Sequence, residues 1–130
     1  MRQLSIAACM VSALVHAALV AQHAGSEPAL AAAFLTATGA LVVAAALLHT
    51  GAAPAATASG TALLLAGLVV AYAVDRTVGL PVSASHGAAH ADQLDALGLA
   101  TKAVETLGAL AAASLLFRHE PATVRSDASA

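Results

Sequence analysis

Polar and apolar positions along this chain fall into four long apolar runs separated by short polar breaks. Between Arg2 and Asp75 the only charged side chain is Glu27, and residues 28–74 carry none. A surface that faces water does not stay uncharged over such a length, whereas a surface that faces lipid does. The apolar runs at 4–22, 29–49, 57–74 and 96–117 are each near the roughly 20 helical residues needed to cross a bilayer. The pattern predicts an all-α fold, a four-transmembrane-helix bundle. Residues 1–119 form its single membrane domain, and 120–130 are read as a flexible cytoplasmic tail.

The breaks carry helix signals. Ser26, Glu27 and Pro28 read as a helix start, with a capping hydroxyl, an acid at the positive end of the dipole and a first-turn proline. Gly51 and Pro54 close the second span, and Thr57 or Ser59 is placed to cap the third. Arg76, Gly79 and Pro81 supply a cation for the third helix's C-terminus, a left-handed cap and a stop. Asp92 and Asp95 read as an N-cap and first-turn acid for the fourth. Arg2, Arg118 and Arg125 lie at one end of the bundle and Arg76 at the other. The positive-inside rule then predicts cytoplasmic termini and a long extracytoplasmic connection between the third and fourth helices. A cleaved signal peptide over residues 1–24 is the competing reading of the first run, which is longer than the usual apolar region of about 7–15 residues.

Composition sharpens this picture. The chain has 130 residues, 60% apolar and 9% charged, against about a quarter charged in soluble proteins. Small side chains on such helices let backbones approach closely. With a net charge of −2 there is no basic face for nucleic acid. One cysteine, Cys9, allows no disulfide within the chain.

Against this background the polar residues stand out. Lys102 and Glu105 are three apart inside the fourth run, on one helical face. By helical rise they lie about 9 and about 13 Å below its outer end, and His16 lies about 9 Å below that of the first run. Charges at such depth face a bundle interior and mark function by default. His16 and His23 are two turns apart on one face, and Glu27 follows. His86 and His90, with Asp92 and Asp95 after them, add further ligand types in the long connection. Imidazole and carboxylate suit a divalent transition metal, so His23, Glu27, His86, His90, Asp92 and Asp95 form a metal expectation. A solvated loop with ordinary caps explains the same residues.

His16 and His23 seven apart in the first span, with Arg76-Thr77-Val78-Gly79-Leu80-Pro81 after the third, resemble a pattern in small uncharacterised four-helix integral membrane proteins of actinobacteria. The resemblance implies the same fold and roles for His16, His23, Arg76 and Glu105. It implies no particular activity. Here Glu27 sits four residues beyond His23 rather than three, Ser83 replaces a glycine, and tryptophan is absent.

The expectation that follows is a non-enzymatic binding or transport-linked protein whose outward-facing His/carboxylate site takes a transition-metal ion or a proton. The alternative is a structural or accessory subunit packing against itself or a larger membrane partner, its helices approached through Gly39, Gly60, Gly67, Gly98 and Gly108. Catalysis is disfavoured because no nucleophile has a base beside it in the sequence.

Overall fold

The computed structural model describes residues 1–77 and 96–117. Gly79, Pro81, His86, His90, Asp92, Asp95 and the 120–130 tail lie outside the described residues. Four helices are present among those described: α1 (Arg2–His23), α2 (Pro28–Thr50), α3 (Pro54–Thr77) and α4 (Ala96–Leu116). Each is long and apolar enough to span a membrane. Helix α1 packs on α2 and α4, α3 packs on α4, and a thinner α2–α3 contact closes the ring.

Residue size explains the packing. Helix α1 buries Ser5, Ala8, Cys9, Ser12, Ala13 and His16, a stripe at spacings of three and four that keeps to one side of the helix. Helix α4 answers with Thr101, Glu105, Gly108, Ala111 and Ala112. Most of these side chains are small, so the backbones come close. Gly108 marks the tightest point, since a Cβ there would lie 2.4 Å from Ala8 Cβ and 3.0 Å from Leu65 Cδ1. Across the bundle Cys9, Ala13, Leu41, Ala44, Ala45 and Leu65 form the apolar core. Outward-facing positions are apolar as well, with Leu14, Leu63, Leu110 and Phe117 all more than 60% exposed. Water would penalise an apolar exterior of this extent, and hydrocarbon would not.

The helix ends differ from expectation in two places. The N-cap of α2 is Glu27, not Ser26, and no side chain caps it; Pro28 occupies the first helical turn, where its missing N–H costs nothing. Helix α3 starts at Pro54, ahead of Thr57 and Ser59. Thr57 is inside the first turn and donates to the carbonyl of Ala52 at 2.6 Å. The proline assigned to ending α2 thus begins the next helix, a place its fixed φ suits. Gly51 does end α2, in the left-handed conformation with φ 72°, where a side chain would be strained.

Candidate functional site

The polar residues of three helices meet on one side of the α1–α4 contact. Ser12 is the junction. Its hydroxyl donates to Glu105 Oε1 at 2.6 Å, a length typical of a hydroxyl bonded to a carboxylate. Lys102 Nζ donates to Glu105 Oε2, also at 2.6 Å. Glu105 is fully buried and the Lys102 side chain is 14% exposed. Both carboxylate oxygens are therefore held, one by a neutral donor from α1 and one by a cation from its own helix. This arrangement compensates a charge that would otherwise be prohibitive in a low-dielectric interior.

His16, one turn beyond Ser12, is also buried, with 5% exposure. Its Nδ1 lies 2.8 Å from the Ser12 carbonyl and 3.3 Å from the Ser12 hydroxyl. A carbonyl only accepts, so Nδ1 carries the hydrogen and Nε2 is the basic nitrogen of the neutral ring. His23 repeats the device one heptad later, donating from Nδ1 to the Leu19 carbonyl at 2.9 Å. Both rings meet Phe34 of α2 edge-on, with centroids at 5.7 Å for His16 and 5.4 Å for His23. The side of α1 shared by the two histidines thus faces an aromatic ring. His23 Nε2 is 3.7 Å from Glu27 Oε2, a pairing through space rather than a hydrogen bond.

Helix α3 adds Tyr72. Lys102 Nζ lies 5.4 Å and Arg76 Cζ 5.1 Å from the centre of its ring, both within cation–π reach. The Tyr72 hydroxyl is buried and has no hydrogen-bond partner among the described residues. Beside these groups is a cavity of about 400 Å³ contributed to by all four helices. Its polar lining includes His16, His23, Tyr72, Asp75, Arg76 and Lys102, and its apolar walls include Leu19, Leu30, Phe34 and Leu68. It sits where α1 and α3 end and α2 and α4 begin.

The expected intramembrane group of His16, Lys102 and Glu105 is brought together, but through an intermediary that sequence reasoning missed. Ser12 joins His16 to Glu105, and its signal was its place four residues before His16 on the same face. Tyr72 was likewise missed, four residues before Arg76. Helices α2 and α3 supply Phe34, Tyr72, Asp75 and Arg76 to the cavity. Of the six residues expected to bind metal, His23 and Glu27 are described and lie together. Among the described residues no three His, Cys, Asp or Glu side chains converge on a metal-sized position.

Fold and site together define the class: an all-helical protein with four helices able to cross a membrane, a compensated charge cluster between two of them and a cavity alongside. Compared with protein-family models, curated proteins and solved structures, the chain matches none.

Proposed function

We propose that this chain is a non-enzymatic, multi-pass membrane protein that binds, and in a transport-linked role relays, a proton at the Ser12–His16–Lys102–Glu105 cluster. The observation that carries this reading is Glu105, wholly buried yet bonded by Ser12 and Lys102 at 2.6 Å each. Buried ionisable groups in membrane helices are expensive and characteristically serve ion or proton pathways. The geometry offers a short path: His16 in the cavity lining, the Ser12 hydroxyl 3.3 Å from its Nδ1, and the carboxylate 2.6 Å beyond. A serine hydroxyl both donates and accepts, so it can pass a proton between ring and carboxylate. Lys102 balances the carboxylate when the proton is elsewhere. With Arg2, Arg118 and Arg125 on the cytoplasmic side, the cavity end is extracytoplasmic.

The test is pH-difference infrared spectroscopy of the purified protein. Glu105→Gln should remove a carboxyl signal, and Ser12→Ala, which cuts the link between ring and carboxylate, should alter it. Spectra unchanged by Glu105→Gln would refute proton binding there. Metal analysis alongside tests the metal expectation: a stoichiometric ion lost in His86→Ala/His90→Ala would put metal in the proton's place.

A second reading is favoured by three glycines. A Cβ on Gly39, Gly60 or Gly67 would meet nothing within 4 Å, so none is needed for packing within the chain. Flat positions on α2 and α3 suit close approach by another membrane helix, as an accessory subunit or a homo-oligomer requires. Under that reading Gly60→Leu/Gly67→Leu should lower the oligomer size measured by detergent-corrected light scattering. An unchanged mass would remove the support.

A further inference from the structure

We propose that the cavity beside the cluster binds a neutral, ring-bearing lipophile with carbonyl oxygens, of the quinone and hydroquinone class. The inference rests on reading this region as a binding site, but not on proton transfer through Glu105. Four observations lead to it.

The first is charge. Lys102 is paired with Glu105 directly behind the lining, Asp75 and Arg76 both line it, and Glu27 faces His23 at its edge. Cations and carboxylates are thus mixed around a low-dielectric space, which favours a neutral guest over an ion. The second is the supply of hydrogen-bond donors. An ammonium has three N–H groups, and Glu105 takes one from Lys102. The buried Tyr72 hydroxyl adds a donor with no acceptor among the described residues. A buried donor left unmade is unfavourable, so a carbonyl placed between Tyr72 and Lys102 would relieve it.

The third is the presence of an imidazole acceptor. His16 lines the cavity and donates from Nδ1 to the Ser12 carbonyl, which leaves Nε2 as the nitrogen able to receive a hydroxyl hydrogen such as a hydroquinone offers. The fourth is shape. Leu19, Leu30, Phe34 and Leu68 wall an otherwise apolar space of about 400 Å³, inside the range of small-molecule sites. Aromatic rings at Phe34 and Tyr72 suit a flat guest. An inorganic ion would leave such walls unused. Binding alone is inferred, with no redox step.

Tyr72 makes the test direct, because the chain has one tyrosine and no tryptophan and its intrinsic fluorescence therefore reports on this cavity. The probe is menadione, titrated into the full chain in detergent, with calorimetry in parallel and decanoate as an anionic comparison. Saturable quenching with one-site stoichiometry is expected. Ala37→Leu, which fills the cavity, and Lys102→Met/Glu105→Gln, which removes a donor while keeping charge balance, should each weaken binding about tenfold or more. Tyr72→Phe, read by calorimetry, should do the same. Non-saturable quenching, equal affinity in the Ala37→Leu variant, or decanoate binding more tightly than menadione would overturn the inference. Glu105 is not among the cavity-lining residues, so Glu105→Gln alone should keep saturable binding. If the infrared signal is absent but saturation holds, the proton reading fails by itself; if saturation is absent, this inference falls whatever the infrared shows.

Discussion

Replacing Lys102 by methionine removes the charge that faces Glu105 and keeps most of the side-chain volume. The carboxylate would then be fully buried with only the Ser12 hydroxyl as partner. Removing one member of a buried ion pair characteristically costs about 3–5 kcal/mol. The expected destabilisation is therefore about 3 kcal/mol. Reversible unfolding in mixed micelles at neutral pH, followed by far-ultraviolet circular dichroism and reported as the difference from the parent, measures this. Lys102→Met/Glu105→Gln should return to within about 1 kcal/mol of the parent, since a neutral pair of similar volume replaces the ionic one. A loss below about 1 kcal/mol would show that water reaches Glu105 and would refute the buried-charge argument.

Other substitutions probe the packing and the cavity separately. Gly108→Ala forces a methyl to 2.4 Å from Ala8 Cβ and should destabilise by about 1–3 kcal/mol by overpacking, and Ala8→Gly in the same chain should recover most of that loss in the same unfolding assay. Thr61→Val removes a buried hydroxyl that has no hydrogen-bond partner among the described residues while keeping its shape, and should stabilise by about 1 kcal/mol. Tyr72→Phe should likewise raise the stability of the ligand-free protein while weakening menadione binding, so the two orphan hydroxyls part company in a binding assay.

The spans were legible because bilayer thickness imposes a length and an uncharged composition on each helix, and both are written in linear order. That His16, Lys102 and Glu105 stand at a similar level of their helices was legible too, since helical rise converts residue number into distance. Lys102 and Glu105, three apart, were readable as a pair from local periodicity alone. Partners on different helices were not. In a chain with about three alanines in every ten residues, one small helix face resembles another, so nothing in the first run said that Ser12 would meet Glu105. Tyr72 was obscured for a related reason: only the packing of α3 on α4 sets it beside Lys102. The caps misread at Ser26 and Thr57 reflect prolines: α2 begins at Pro28, one residue later than a cap at Ser26 implies, and α3 begins at Pro54, ahead of Thr57.

Close packing and charge compensation depend on each other here. Gly108 brings α4 against Ala8 of α1, and Glu105 lies one turn away on the same buried stripe. Without that approach the Ser12 hydroxyl could not reach the carboxylate at 2.6 Å. One turn further along, at Thr101 and Lys102, small contacts give way to the cavity. The α1–α4 seam therefore runs from a tight point at Gly108, through a bonded carboxylate, to an open, charge-balanced space. Displacing the tight point should loosen the carboxylate before it alters the cavity. Gly108→Ala should accordingly weaken the pH response assigned to Glu105 more than it weakens menadione binding. The reverse order would mean that the cavity, not the seam, holds the cluster in place.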